Sequence, residues 1–272
     1  MKHQICFIFD SKMNIQSTKP TNASSYLSLF VNWCLIFVHI FYGVFTLIFV
    51  FPSSNNINKQ AHIHKWSLRL LTILGVQLKV INRAVLPNSP CLLISNHISW
   101  LDIHAINAFK PIRFVAKSEV EGWPIFGWMA KQLGTVFIKR GNSRNAAQVV
   151  NHMAHILQSE SICIFPEGTS TEGRSVRPFK TNLFESAVVS KVPVYTVAIQ
   201  YFDQNTGLRS EAAAFVGDMG LLESIAQILR HRHLRVDLTF FPPSEANPAF
   251  SRDRKWLALH CQEQISAVLN PK

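Results

Sequence analysis

Charged residues are scarce in this chain, and acidic residues are the scarcest of them. Asp, Glu, Lys and Arg together make up 16% of the 272 residues, whereas hydrophobic residues make up 48%, a large apolar share for a soluble enzyme. The 27 basic residues outnumber the 16 acidic ones, which gives a formal net charge of +11. This balance favours an anionic partner, namely a lipid surface, a phosphorylated substrate or nucleic acid.

The signatures of several other protein classes are also missing. The chain has no zinc-finger spacing, recognition-helix pattern or RNP-like aromatic motif, so we expect no nucleic-acid partner. It has no glycine-rich loop that would cradle a nucleotide phosphate and no Gly-x-Ser-x-Gly elbow of a nucleophilic hydrolase. No metal is expected, because the close histidine pairs lack carboxylate or cysteine partners at ligand spacing; these pairs are His62/His64, His152/His155 and His231/His233.

Cysteine is rare, odd in number and scattered along the chain. The sequence has five cysteines, which we interpret as buried, reduced thiols rather than disulfides or metal ligands. Reduced thiols favour a catalytic domain that faces the cytosol.

One long apolar segment lies near the N-terminus. A helix over residues 29–51 would be roughly 35 Å long, enough to cross a hydrocarbon core of about 30 Å, and we favour membrane insertion over a buried core helix. Asn32, His39 and Tyr42 leave open a helix that lies in the interface or a re-entrant pair. We therefore divide the chain into a disordered tail (1–25), a membrane-associated helical segment with its linker (26–75) and a catalytic domain (76–272).

Strand and helix patterns alternate from residue 76 onward. This alternation predicts an α/β fold, in which helices cover a mostly parallel sheet. The segment 65–74 fits either an interfacial amphipathic helix or the first helix packed on the sheet. Strands are predicted near 76–81, 92–95, 112–116, 135–138, 162–165, 194–200 and 236–240, and helices near 101–108, 124–132, 143–158, 183–190, 221–230 and 252–269.

A histidine and a carboxylate follow the apolar run that ends at Ser95. His97 is the candidate general base, because imidazole titrates near neutrality and can take a proton from a substrate hydroxyl. Asp102 would accept the other ring N–H and so fix the tautomer. The alternative is structural: Ser99 followed by Asp102 resembles a helix capping box.

Polar residues end three further predicted strands. Glu167 follows the apolar run 162–165 and belongs either to an ordinary turn or to a loop that binds substrate. Arg140 follows another strand, and Lys117 follows a third. These cations form either an exposed basic surface or a phosphate clamp.

Together these segments resemble the glycerolipid acyltransferase family, which includes the 1-acylglycerol-3-phosphate (lysophosphatidate) acyltransferases. Four blocks match in the family's order. They are Asn-His-x-Ser-x-x-Asp at 96–102, Gly-x-x-Phe-Ile-x-Arg at 134–140, Phe-Pro-Glu-Gly-Thr at 165–169 and Val-Pro-Val at 192–194.

The resemblance implies a reaction and a set of site residues. An acyl group would pass directly from acyl-CoA or acyl-carrier protein to the sn-2 hydroxyl of 1-acyl-sn-glycerol 3-phosphate, giving phosphatidate without a cofactor. His97 would be the base and Asp102 would orient it. The resemblance also implies an N-terminal helix that seats the enzyme on membrane lipid, at the cytoplasmic face of the inner membrane. The residues implied in acceptor binding are Arg140, Glu167, Gly168 and Thr169, with Lys117 as a further phosphate ligand.

One departure from the family pattern bears on the acceptor. Many members place Arg-Ser after Glu-Gly-Thr, whereas this chain has Ser170 and Thr171. Arg174, Arg177 or Lys180 could supply the missing charge. The alternatives are an acceptor such as a lyso-aminolipid that lacks phosphate, or a catalytically silent lipid-binding protein.

Overall fold

The structure of this chain is a computed structural model that describes residues 23–83, 89–139, 143–244 and 253–270. Most of the predicted N-terminal tail (1–25) lies outside the described residues. The described helices are α1 (Ala23–Phe45), α2 (Asn56–Leu74), α3 (Leu101–Asn107), α4 (Ser118–Glu121), α5 (Phe126–Gln132), α6 (Ser143–Ile156), α7 (Glu185–Ser190), α8 (Leu221–Arg230) and α9 (Arg254–Leu269).

In the described residues, the strands form one seven-stranded sheet in the order β1-β7-β6-β2-β5-β3-β4. Neighbouring strands are parallel except β6 and β7, which are antiparallel. The predicted α/β fold with a mostly parallel sheet is confirmed. The strands are β1 (Val76–Ile81), β2 (Leu92–Ser95), β3 (Arg113–Lys117), β4 (Val136–Ile138), β5 (Ile162–Ile164), β6 (Val194–Asp203) and β7 (Leu234–Phe241).

Both faces of the sheet are buried, which explains why the central strands are continuous apolar runs. In β2, Leu92 and Ile94 point into a core shared with α6 and α9, whereas Leu93 points into a second core that contains residues of α2 and α3. Successive side chains of a strand alternate between faces, so a strand covered on both sides needs apolar residues at every position. This is why β2 and β5 could be located from their sequence.

The direction of the strands brings the polar segments together. Strands β2, β5, β3 and β4 are parallel neighbours, so their carboxyl ends meet at one edge of the sheet. This is where ligands bind in open α/β sheets. The segments after β2 and β5, the last residue of β3 and Lys139 after β4 therefore lie along the same edge.

The N-terminal helix begins earlier than the sequence predicted, at Ala23 rather than near residue 29. It continues into a π-helical turn at Thr46–Val50 and a short 3₁₀ turn at Phe51–Ser53. By length and composition alone, the stretch Tyr26–Ser53 could cross a membrane, and about a third of its most apolar window (33%) is buried against the rest of the protein.

Two polar residues of α1, Asn32 and His39, face the protein. Asn32 is buried and donates to the Ser28 carbonyl at 2.6 Å. The His39 ring stacks on the Trp66 indole at 4.5 Å, and its Nε2 lies 3.0 Å from the Trp66 carbonyl. The Trp66 indole N–H in turn donates to the His39 carbonyl at 3.1 Å. Helix α1 is therefore tied to α2 through His39 and Trp66, while many of its large apolar side chains point outward.

Helix α2 decides between the two interpretations of segment 65–74. It begins after Asn55, whose side chain accepts from the backbone N–H of Asn58, and it ends at Gly75 in the left-handed conformation. Its last turns bury Leu70, Leu71 and Leu74 in the core beside α3 and β1. The segment is thus the first helix packed on the catalytic domain.

A half-buried histidine lies where these helices meet. His104 of α3 contacts the rings of Trp66 and Trp100, at 5.2 and 5.8 Å between centroids. Its Nδ1 has no hydrogen-bond partner among the described residues. Burial, with a smaller contribution from nearby His39, lowers the pKa of His104 from 6.5 to about 4.

This lowered pKa predicts acid sensitivity. The unfolded chain binds a proton at His104 below about pH 6.5 but the folded chain only below about 4, so stability is lost as the pH falls through this window. The shift corresponds to about 3 kcal/mol. We expect His104→Leu to remove this part of the pH dependence of the free energy of unfolding, measured by denaturant titration in detergent from pH 7 to 4. His152→Leu, at an exposed position, is the control. A His104→Leu profile parallel to wild type would contradict the prediction.

Candidate active site

His97 and Asp102 lie together at the carboxyl end of β2. His97 is in the turn after the strand and Asp102 is in the first turn of α3. The His97 Nδ1 and the Asp102 Oδ2 are 2.8 Å apart. The histidine side chain is 21% exposed, whereas the aspartate is fully buried. The pair that the sequence singled out therefore forms one hydrogen-bonded unit with its imidazole at the surface.

The other contacts of Asp102 fix the tautomer of His97. The Asp102 Oδ2 also accepts from the backbone N–H groups of Ile98 (2.7 Å) and Ser99 (2.9 Å), and its Oδ1 accepts from the Tyr201 hydroxyl at 2.8 Å. A carboxylate has only acceptor atoms, so the Nδ1 must carry the proton it shares with Asp102. This leaves the Nε2 of a neutral His97 as the nitrogen that can take a proton.

The capping interpretation of the same residues also holds. The Asp102 carboxylate reaches back to the Ser99 N–H, and the Ser99 hydroxyl accepts from the backbone N–H of Leu101 at 3.3 Å. The carboxylate contact is that of a capping box, although the Ser99 hydroxyl bonds the N–H of Leu101 and not that of Asp102. Because one carboxylate serves both the turn and the imidazole, the two interpretations that the sequence left open are compatible.

Glu167 joins the β5 turn to the β2 turn. Its Oε1 accepts from the backbone N–H of His97 at 2.8 Å, and its Oε2 accepts from the backbone N–H of Arg177 at 2.9 Å. Burial raises the pKa of Glu167, and the two hydrogen bonds partly oppose that rise. Both oxygens of this carboxylate therefore hold main-chain groups of the site in place.

The remaining predicted site residues lie around this pair of turns. Gly168 has a φ of +70° and its N–H donates to the Phe165 carbonyl at 3.0 Å, which closes the turn, and Thr169 follows it half-buried. Lys117 is the last residue of β3, where it pairs with Ile138 of β4. Arg140 lies outside the described residues.

Two contacts that support His97, from Phe165 and Thr171, were not predicted from the sequence. The bond of Tyr201 to Asp102 was not predicted either. The Phe165 ring stacks on the His97 ring at 4.1 Å, with the two planes 16° apart. The backbone N–H of Thr171 donates to the His97 carbonyl at 2.9 Å. Phe165 stands inside a motif of the chain, but Thr171 and Tyr201 carry no signal in the sequence that marks these contacts.

Comparison with known proteins identifies the chain. A family model described as Acyltransferase matches residues 77–200. The Pseudomonas aeruginosa lyso-ornithine lipid O-acyltransferase is 36% identical over 206 residues, which cover 75% of this chain and 76% of that protein. The chain belongs to the acyltransferase family.

A second relative supports this assignment, and a solved structure supports the fold. The 1-acyl-sn-glycerol-3-phosphate acyltransferase of Neisseria gonorrhoeae is 35% identical to this acyltransferase over 179 residues, which cover 65% of this chain and 69% of that protein. The crystal structure of the 1-acyl-sn-glycerophosphate acyltransferase PlsC from Thermotoga maritima matches with a TM-score of 0.62 at 21% identity. It covers 90% of this chain and 96% of that one, which shows a shared fold.

In this acyltransferase Asn96 fixes the position of the backbone that leads into His97. Its side-chain amide donates to the carbonyl of Ile199 at 3.0 Å and accepts from the same residue's N–H at 2.8 Å. The side chain thereby continues the pairing of β2 with β6 beyond the end of β2. Because Asn96 is buried, both bonds are shielded from water.

We expect Asn96→Ala to destabilise the protein by about 2–4 kcal/mol, because it leaves a buried N–H and a buried carbonyl of Ile199 without partners. Denaturant unfolding in detergent measures the change. Asn58→Ala, at an exposed position of α2, should change stability by no more than about 0.5 kcal/mol. Equal effects of the two variants would refute the role of Asn96.

Proposed function

We propose that this acyltransferase transfers a fatty acyl group from acyl-CoA or acyl-carrier protein to the sn-2 hydroxyl of 1-acyl-sn-glycerol 3-phosphate, giving phosphatidate. The observation that carries the proposal is the His97–Asp102 pair, whose imidazole is held in one tautomer and partly exposed at the carboxyl edge of the sheet. The name of the Neisseria relative supports the acceptor.

In the proposed reaction, His97 acts as general base. Its Nε2 takes the proton of the acceptor hydroxyl as the oxygen attacks the thioester carbonyl carbon. Asp102 stabilises the imidazolium that forms. When the tetrahedral intermediate collapses, the C–S bond breaks and His97 donates this proton to the leaving thiolate. The ester bond replaces the thioester bond, and no acyl-enzyme forms.

Lys117 and Arg140 would position the acceptor. Lys117 ends β3, the second strand from β2 across the sheet, and we propose that it binds the acceptor phosphate. Arg140 remains a predicted ligand of the same group. Glu167, Gly168 and Thr169 would contribute through the turn that they form, since the carboxylate of Glu167 already accepts from two main-chain N–H groups.

A second acceptor class has specific support. The Pseudomonas relative is named as an acyltransferase of lyso-ornithine lipid, an acceptor whose headgroup carries a carboxylate and an amine instead of a phosphate. Position 170, where many family members have arginine, is serine in this chain. Both observations favour a lyso-ornithine lipid as the alternative acceptor for the same chemistry.

The apolar face of α1 supports a membrane location, which we propose to be the cytoplasmic face of the inner membrane. Phe30, Phe37 and Phe41 are 62–77% exposed on this helix, while Asn32 and His39 are buried. Exposed aromatic side chains on this scale mark a membrane or protein contact, and the net charge of +11 suits an anionic lipid surface.

Turnover assays test the reaction. The purified protein in detergent micelles is offered labelled acyl-CoA or acyl-carrier protein with lysophosphatidate, lyso-ornithine lipid or other lysolipids. We expect His97→Gln and Asp102→Asn to lower kcat/KM about 10²- to 10⁴-fold, because the first removes the base and the second removes the carboxylate that orients it. His152→Gln, at an exposed position on α6, should retain activity. Turnover unchanged in His97→Gln would rule out the proposed base.

Vesicle flotation tests the membrane contact. We expect the double substitution Phe37→Asp and Phe41→Asp to lower binding to anionic vesicles at least tenfold, since a carboxylate in the apolar layer costs about 2.5–3.5 kcal/mol. Asn58→Asp, on the polar exposed part of α2, should have little effect. Equal binding by wild type and the double variant would contradict this orientation of α1.

A further inference from the structure

The serine at position 170 raises the question of which cation binds the acceptor headgroup at this turn. The Ser170 hydroxyl donates to the Phe215 carbonyl, so it is engaged in holding the neighbouring loop. Three basic residues follow within the next turns of the chain, namely Arg174, Arg177 and Lys180. The structure distinguishes them.

Arg174 is already paired at the surface. Its guanidinium forms a two-pronged ion pair with Glu211, in which the Nη2 donates to the Oε2 at 2.8 Å and the Nε donates to the Oε1. This pair raises the pKa of Arg174 and lowers the pKa of Glu211. An anionic headgroup would have to displace this carboxylate before it could bind Arg174.

Arg177 contributes to the site through its main chain. Its backbone N–H donates to the Glu167 Oε2 at 2.9 Å, while its side chain is exposed. No contact of the guanidinium with the Glu167–Gly168–Thr169 turn is seen in the described part of the chain. Of the three residues, Arg177 therefore supports the turn without placing a charge on it.

Lys180 places its ammonium directly on the turn. A methyl group added at Gly168 would lie 2.7 Å from the Lys180 Nζ and 3.3 Å from its Cε, so the lysine end occupies the space beside the Gly168 Cα. Within the described residues, no Asp or Glu oxygen lies within ion-pairing distance of this ammonium, which is exposed. Its charge is available to a ligand.

The main chain around Lys180 is fixed on both sides. The Lys180 N–H donates to the Pro166 carbonyl at 3.0 Å. The preceding residue, Phe179, is buried in the core, and its N–H donates to the side-chain carbonyl of Gln262 at 2.9 Å. The stem of Lys180 therefore starts from a rigid position next to the turn that carries Glu167, whose carboxylate holds the backbone of His97.

We propose that Lys180, lying against Gly168, forms the subsite that binds the anionic headgroup of the acceptor lysolipid. The anionic group is either the phosphate of lysophosphatidate or the carboxylate of a lyso-ornithine lipid, and a lysine can bind both by charge-assisted hydrogen bonds. The subsite supplies the positive charge that position 170 lacks. This inference rests on the proposed function, because it assigns the headgroup site of that reaction.

Gly168 is part of the same subsite. At a φ of +70° a side chain is disfavoured, and a Cβ would also push the Lys180 ammonium aside. Glycine at position 168 therefore both allows the turn and leaves the space in which the ammonium lies.

Steady-state kinetics in mixed micelles test the subsite. The acceptor is varied by mole fraction at saturating donor, and the donor is then varied at saturating acceptor. We expect Lys180→Met to raise the KM for the acceptor about 10- to 100-fold, as for the loss of a hydrogen bond to a charged group, with little change in kcat or in the KM for acyl-CoA. Lys180→Arg should restore most of the acceptor affinity, which a merely structural role would not explain.

The matched control is Arg174→Met, which removes the same charge from the same loop but leaves Lys180 on the turn. Lysophosphatidate and lyso-ornithine lipid are run as separate acceptors, and a KM effect on either one supports the subsite and identifies its anion. An unchanged acceptor KM in Lys180→Met, or a rise only in the KM for acyl-CoA, would overturn it. Absence of turnover by the wild-type protein on every acceptor would instead overturn the proposed function itself.

Discussion

The buried carboxylate of Asp102 is the group on which the rest of the site depends. It is fully buried, which is costly for an ion unless donors surround it. The donors come from three places: the turn after β2, the Tyr201 hydroxyl on β6, and the His97 ring. Since one carboxylate satisfies all of them, the turn, the neighbouring strand and the imidazole take up their positions together. A substitution that removes any of these donors is therefore expected to shift the position of the His97 ring.

The sheet brings the other parts of the site to this carboxylate. Parallel pairing of β2 with β5 places the Glu167 turn beside His97, and Glu167 then bonds to the His97 backbone at 2.8 Å. The same turn contains Gly168, and Lys180 lies against that glycine. Helix α3 begins at the site, and Trp66 of α2 contacts both His104 of α3 and His39 of α1. Helix α2 therefore links α3 to α1. The proposed base, headgroup cation and membrane helix thus belong to one connected framework.

Much of this could be predicted from the sequence, for identifiable reasons. Strands β2 and β5 were located because strands covered on both faces are apolar throughout. His97 and Asp102 were identified because they lie close in sequence, in the turn after a strand and in the first turn of the next helix. Contacts between distant segments could not be predicted. Tyr201 reaches Asp102 from 99 positions along the chain, and Lys180 meets Gly168 only because the intervening loop folds back onto Pro166. The start of α1 at Ala23 was also missed, since its first residues have no apolar pattern.

The proposed mechanism requires that Asp102 holds His97 with its Nε2 ready to accept a proton. Nitrogen-15 NMR of the histidine-labelled protein in detergent, with His97 assigned by comparison with His97→Gln, measures this directly. In neutral His97 we expect Nδ1 to carry the proton and Nε2 to be unprotonated. We also expect Asp102→Asn to abolish the strong preference for that tautomer. A neutral ring protonated at Nε2 in the wild-type protein would contradict the mechanism, because the nitrogen facing the substrate could then not act as the base.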